Sequence, residues 1–262
     1  MIDINAQQDT QLPLDSLIEY ALKSNSFYMS YQPIVSTSNS KLIGFEALIR
    51  NRINDSRLRP DHLIPHLERT GQIIELGSWI LKQCLVDYKT LESYGLKDFT
   101  MSINVSPIQI IDHDITIEIS NLINELGISA KNIKLELTET ALISDCNKIA
   151  KSFERLREMG IKVWLDDFGT GFASLSLLRQ FKVNGIKIDK SFISNIATDN
   201  DDFMLCSAVI AMAQRLNLEL IAEGVETPQQ LQILNCLGCE NIQGYLIDKP
   251  LTLRDVINKW RS

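Results

Sequence analysis

The 262-residue sequence predicts an α/β fold, a (β/α)8 TIM-like barrel whose first strand is antiparallel to the rest. Three observations lead there. Eight strand-like runs are separated by helical patterns, the alternation expected of a mainly parallel sheet covered by helices. The link between the first two runs is too short for a parallel crossover. Acid, amide and amine side chains recur at the ends of otherwise apolar strands, and in a barrel those ends open on one face. The length suits a single barrel, and 45% hydrophobic content suffices for a substantial core. The main rival is an open doubly wound sheet, but no G-x-G-x-x-G follows the first strand.

Residues 1–13 read as a flexible polar segment and residues 14–262 as one domain. Residues 14–22 have the apolar spacing of a helix. Residues 27–35 and 42–50 read as strands, and only Ser36-Thr37-Ser38-Asn39-Ser40-Lys41 joins them, which makes them an antiparallel hairpin. Helical patterns follow over residues 62–69 and 74–94, the second ending at Gly95 in the manner of a C-cap. Pro65 is expected to interrupt the first of these, leaving the i,i+4 pair His62 and His66 in a surface or capping role. Strands are then expected at residues 100–105, 133–138, 161–167, 185–189, 219–223 and 241–246. Helices are expected between them near 115–126, 147–159, 173–181, 202–216 and 228–237. The polar run Thr198 to Asp202 is a solvated loop and helix start.

The formal net charge of −7 argues against broad binding to duplex nucleic acid or to an anionic membrane, both of which call for a basic face. A small anionic ligand stays open if metal ions supply the positive charge. No stretch approaches the roughly 20 apolar residues of a membrane span, and the polar start is no signal peptide, so a cytoplasmic location is expected. Five scattered cysteines fit reduced thiols. Cys236 and Cys239 form a C-x-x-C without a second pair, which fits packing at a helix end better than zinc.

The chain is organised around Val163-Trp164-Leu165-Asp166-Asp167-Phe168-Gly169-Thr170-Gly171, an apolar strand that ends in two adjacent carboxylates and a glycine-rich loop. Neighbouring carboxylates repel and lose hydration when partly buried, so such a pair serves to hold cations or share a proton. The alternative is that both cap a helix starting near Ala173. Glu46, Asn104, Glu136, Lys187, Glu223 and Gln243 stand at other strand ends. The set is rich in oxygen and lacks histidine and cysteine, which suits Mg2+ or Mn2+. Glu46, Asn104, Glu136, Asp166, Asp167 and Glu223 supply donors for two ions, a known arrangement for displacement at a phosphodiester. Lys187 would orient the nucleophile or offset phosphate charge. Asp167-Phe168-Gly169 is also a kinase triplet, but no glycine-rich nucleotide loop or H-R-D accompanies it.

Glu46-Ala47-Leu48 with Arg50, preceded by Tyr31-Gln32-Pro33-Ile34, resembles the signature of the EAL-domain cyclic di-GMP phosphodiesterases. The likeness continues through Asn104-Val105-Ser106, Glu136-Leu137-Thr138-Glu139, Asp166 to Gly171, Lys187-Ile188-Asp189, Ala222 to Glu226 and Gln243-Gly244-Tyr245, ending at Lys249-Pro250. It implies a barrel with an antiparallel first strand and hydrolysis of cyclic di-GMP to linear pGpG with Mg2+ or Mn2+. By the same likeness Glu46, Asn104, Glu136 and Asp166 would ligate one ion, and Asp166 and Asp167 the second. Lys187 would hold the attacking water, Glu223 and Gln243 would complete the site, and Gln32, Leu48, Gln243 and Arg50 would meet the substrate. Glu139 would anchor the loop after Asp167, which in the family couples the metal site to a homodimer interface. Asn51, Trp164 and Lys182-Val183-Asn184 depart from the family's usual residues without removing a ligand, and Trp164 is expected to be ordinary packing. The alternative function is a receptor or interaction module that binds the nucleotide without turning it over; loss of acids would mark that class. No sensory, DNA-binding or cyclase segment is recognisable, so the chain reads either as a stand-alone enzyme or as a domain of a longer one.

Overall fold

A computed structural model describes residues 13–139, 145–171 and 175–261. The expected flexible segment, apart from Pro13, lies outside the described residues, as does the start of the helix expected near Ala173. In chain order the elements are α1 (Leu14–Lys23), β1 (Phe27–Ser36), β2 (Leu42–Asn51), α2 (Pro60–Thr70), α3 (Ile73–Ser93), β3 (Thr100–Asn104), α4 (Pro107–Ile111) and α5 (Ile115–Leu126). There follow β4 (Ile133–Thr138), α6 (Cys146–Glu158), β5 (Lys162–Phe168), α7 (Leu175–Phe181), β6 (Gly185–Ile188), α8 (Lys190–Ser194) and α9 (Asn200–Arg215). The chain closes with β7 (Glu219–Ala222), α10 (Pro228–Leu237), β8 (Asn241–Gln243), β9 (Leu251–Thr252) and α11 (Leu253–Trp260).

Strands β2 to β8 pair in sequence order, each parallel to the next, and β1 closes the barrel by pairing antiparallel with both β2 and β8. The short hairpin link therefore decides the direction of β1, as its length requires. The short β9 adds to the start of β1, with Ser30 opposite Thr252. The side chains alternate about the barrel wall. On β4, Ile133, Leu135 and Leu137 join the main core, whereas Lys134 and Glu136 occupy the alternate, inward positions. Residues inside are stacked in layers. Ile34, Trp164 and Ile221 form an apolar layer separate from the core outside the wall. Trp164 is fully buried, and Gly185 makes room for it, since a Cβ there would lie 2.7 Å from the indole. The buried Lys134 places its ammonium 4.3 Å from the centre of the same indole, while Lys162 and Glu219 pair nearby. Trp164 is thus packing, as its sequence context suggests, but packing of the barrel's own interior.

Three differences from the sequence expectation have physical causes. First, Pro65 does not interrupt α2, which runs unbroken from Pro60 to Thr70. Leu63 and Leu67, one turn apart, are buried on its inner side, and the exposed Pro65 and Asp61 leave water access to the carbonyl deprived of a donor. His66 bonds Asp15 of α1 at 2.7 Å, so its surface role is to tie two helices. Second, α4 and α8 are five-residue turns capped by Ser106 and Asp189, too short to leave a periodic pattern. Third, α11 and the two-residue β9 follow Pro250 where no element was expected. Asp199 caps α9 by accepting from Asp201 and Asp202, as expected, and of the C-x-x-C pair Cys239 packs just past the end of α10 whereas Cys236 is exposed. Replacing Trp164 by Ala is expected to cost about 3–5 kcal/mol of stability through the void it opens. Urea denaturation checks this, and an unchanged midpoint would show that the indole does not fill the barrel.

Candidate metal centre

The open end of the barrel is built where apolar strands run out. Register sets the neighbours: Gln32 lies opposite Glu46, Asn104 beside Glu136, and Thr138 beside Asp166. Strand β6 contributes Lys187, which is completely buried. Its ammonium lies 3.2 Å from Glu46 Oε2, 2.9 Å from Glu136 Oε2, 3.1 Å from Asp166 Oδ1 and 2.6 Å from Glu223 Oε1. Four acids carried in or just after four different strands therefore meet at one cation. The Gln243 amide donates to Glu46 Oε2 at 2.6 Å and to Gln32 Oε1 at 3.1 Å, and Gln32 donates to the Asp248 carbonyl at 3.1 Å. The Asn104 amide donates to Glu46 Oε1 at 2.9 Å, which commits its nitrogen and leaves Oδ1 as the arm for a cation.

Asp167 turns away from the strand in the left-handed region, at φ 52°, a conformation that costs a non-glycine residue of order 1 kcal/mol. Its backbone N–H donates to Asp166 Oδ1, and its carbonyl accepts from the Thr170 hydroxyl at 2.8 Å. Glu139, buried after β4, accepts from the Gly169 N–H at 3.1 Å and lies against Gly171. Asn184, one of the positions that depart from the family's pattern, accepts from the Val163 N–H at 2.8 Å and so ties β5 to the segment before β6.

The electrostatics follow from burial and crowding. Burial alone would discharge Lys187, but Asp166, Glu136, Glu223 and Glu46 outweigh it and hold the ammonium well above its ordinary range. Burial likewise works against Glu46, yet Lys187 and the amides of Gln243 and Asn104 keep its carboxyl below the usual value. Burial pushes Glu136 up to about 7, with Glu46 and Asp166 adding to the rise. Asp167 is pushed up to about 6 by burial and then by Asp166. One ammonium cannot neutralise this many acids.

The residues fit divalent ions on three counts. Glu46, Glu136 and Asp166 form one group of mutually close carboxylates, and Asp166, Asp167 and Glu223 a second, sharing Asp166. Gln243 Oε1 is buried and accepts no hydrogen bond, as an oxygen reserved for a cation would, whereas the Glu136 carboxylate has the buried Ser102 hydroxyl beside it. All donors are oxygen, the preference of Mg2+ and Mn2+.

Gln32, Glu46, Leu48, Asp166, Glu223 and Gln243 share one cleft of about 460 Å³. Arg50 does not line it. Arg50 borders an adjoining, mostly apolar cavity of about 250 Å³ that also reaches Asn104 and Glu136, and its guanidinium donates to the Ile49 carbonyl. Lys190, Glu226 and Tyr245 also line the cleft; Glu226 and Tyr245 fall within the matched motifs but carry no role from the sequence, and Lys190 lies outside them. For Lys190 there is a signal: Gly224, at φ 65°, packs so closely that a Cβ would lie 2.5 Å from the Lys190 Cβ.

A closed barrel with an oxygen-lined, two-centre acidic basin at the exits of its strands defines the class. The chain belongs to the EAL-domain family, whose model, described as EAL domain, matches residues 16–250. Among curated relatives it is 35% identical over 244 residues to the cyclic di-GMP phosphodiesterase NbdA of Pseudomonas aeruginosa, covering 93% of this chain and 31% of that protein. It is 32% identical to the bifunctional diguanylate cyclase/cyclic di-GMP phosphodiesterase MucR of the same organism, covering 98% and 37%. The chain thus spans about a third of the length of the curated relatives it matches. Among solved structures, a MucR phosphodiesterase complex with c-di-GMP superposes with TM-score 0.88 at 32% identity, covering 94% of this chain and all of that one. The EAL enzyme Bd1971 with bound cAMP and cyclic di-GMP gives TM-score 0.88 at 32% identity, covering 97% and 69%. No helix among the described residues is long and apolar enough to cross a membrane.

Protons and cations compete for the same oxygens, so affinity for Mn2+ is expected to rise with pH as Glu136, near 7, and Asp167, near 6, lose their protons. Calorimetric titration at pH about 5.5 and about 8 should show binding at least about tenfold weaker at the lower value. A flat profile would separate these two acids from ion binding.

Proposed function

We propose that this chain hydrolyses one phosphodiester bond of cyclic di-GMP to linear pGpG with two divalent ions, Mg2+ or Mn2+. The observation that carries this reading is the convergence of Glu46, Glu136, Asp166 and Glu223 on Lys187, with Asp167 alongside, beside a cleft large enough for a ligand. The choice of cyclic di-GMP is supported by what the relatives of similar sequence act on or were crystallised with.

Glu46, Asn104, Glu136 and Asp166 would hold one ion and Asp166 with Asp167 the other, with Glu223 and Gln243 completing the set. Bound there, the ions supply Lewis-acid stabilisation of the phosphoryl charge and a lowered pKa for water. Lys187 stays protonated among its acids and so is not the base. It would donate to the oxygen of the attacking water, whose proton, made acidic by the ions, would pass to solvent as the new P–O bond forms, while the departing oxygen would take up a proton as its bond to phosphorus breaks. Gln32, Leu48 and Gln243 contact the nucleotide from the cleft wall, and the planar fork of Arg50 suits a bidentate grip on phosphate from the adjoining cavity. Gln243 also fixes Glu46, so one amide serves both the acid and the ligand wall. Glu139 steadies the loop after Asp167 through Gly169. Coupling of that loop to a homodimer, and a cytoplasmic location, belong to the same proposal; light scattering of the purified chain measures its mass.

Incubation with cyclic di-GMP and Mg2+ or Mn2+, followed by chromatography, is expected to yield pGpG, and chelation by EDTA to stop it. Glu46→Ala is expected to lower turnover more than about 100-fold, since it removes a donor and frees the Asn104 and Gln243 amides. Undiminished turnover would take Glu46 out of the metal centre. Tight nucleotide binding without product under either ion would instead make the chain a receptor.

A further inference from the structure

Asn104 is one of the amides in the proposed ion set, and it stands at the end of β3 where the chain turns into the five-residue α4. So short a turn does not hold itself. Its hydrogen bonds show what does. The Val105 N–H donates to the Glu136 carbonyl at 2.9 Å, which ties the turn to β4. Ser106 donates its N–H to Gln109 Oε1 at 3.1 Å and accepts from the Ile108 N–H at 3.3 Å, a reciprocal cap. Gln109 in turn fills a notch in α3 that exists because residue 77 is glycine: an added Cβ there would lie 2.0 Å from the Gln109 amide nitrogen. The remaining tie comes from α2. The Ser106 hydroxyl donates to Glu68 Oε1 at 2.7 Å, the length of a charge-assisted bond.

Glu68 occupies the last turn of α2, where the helix dipole disfavours an anion. It is half-buried and lines the same cavity as Arg50, Asn104 and Ser106, next to the metal centre and outside it. The acid is nonetheless bonded in this place to the serine two residues past Asn104. We infer that Glu68 is a positioning residue: by holding Ser106 it sets the β3–α4 turn and thereby the angle at which the Asn104 amide meets Glu46 and an ion. The inference rests on the two-ion reading of the centre. Outer partners of metal-holding side chains commonly contribute about 10- to 100-fold in affinity.

The test is calorimetric binding of Mn2+ by the unaltered chain, Glu68→Ala and Glu68→Gln, with thermal unfolding of each measured alongside. Glu68→Ala is expected to bind Mn2+ about tenfold more weakly while melting close to the unaltered chain. Glu68→Gln keeps an oxygen acceptor for the Ser106 hydroxyl and is expected to stay within about threefold. Because the Gln variant preserves the helix and the bond, it separates positioning from simple loss of folding. Mn2+ binding by Glu68→Ala equal to that of the unaltered chain would overturn the inference and leave the two-ion reading standing. Failure of the unaltered chain itself to bind Mn2+ would overturn both.

Discussion

The structure depends on one buried ion cluster, the Lys187 ammonium held among Glu46, Glu136, Asp166 and Glu223. Each of these groups loses hydration on entering the barrel, and none could be there charged alone. The lysine makes the acids tolerable, and the acids keep the lysine charged. Because the acids outnumber it, the cluster retains surplus negative charge, and beside it Gln243 Oε1 is an oxygen without a donor. That surplus distinguishes the cluster from a structural salt bridge. A balanced network would satisfy itself, whereas this one has capacity for further positive charge.

What lies beneath the cluster explains how it can be so dense. The two-residue period of the strands puts Trp164 one step below Asp166 and Lys134 one step below Glu136. Trp164, with Ile34 and Ile221, makes an apolar layer that separates the acids above from the Lys162 and Glu219 pair. Gly185 is the concession that lets an indole fit there. A smaller side chain at 164 would leave the inner layer underfilled around the Lys134 ammonium, which now rests on the indole face.

The sides of the basin are fixed by elements of different kinds. The hairpin brings Gln32 and Glu46 face to face, and Gln243 on β8 bridges them because β1 is shared by both neighbours. The closure of the barrel and the geometry of the ligand wall are therefore the same fact. On the opposite side short loops take over. Glu139 and the strained Asp167 shape one, and Glu68 with Gln109 shape the other.

Much of this was legible in the sequence, for definable reasons. Hydrophobic periodicity and the short link after Ser36 are local properties, and they determine the eight barrel strands and the direction of β1, though not the two-residue β9. Charged residues within apolar strands are costly wherever they end up, so Glu46, Glu136, Asp166 and Lys187 announce a shared site before any contact is known. Contacts between distant segments were not legible. That Arg50 borders a separate cavity, that Lys190 and Tyr245 wall the cleft, that Pro65 leaves α2 intact and that Glu68 holds Ser106 all depend on which surfaces meet. The sequence by itself determined the chemistry available at the barrel mouth, because burial cost is a property of each residue. Only the tertiary structure decided which side chains share that mouth and which merely support it, because distance and angle between strands come from closure of the barrel as a whole.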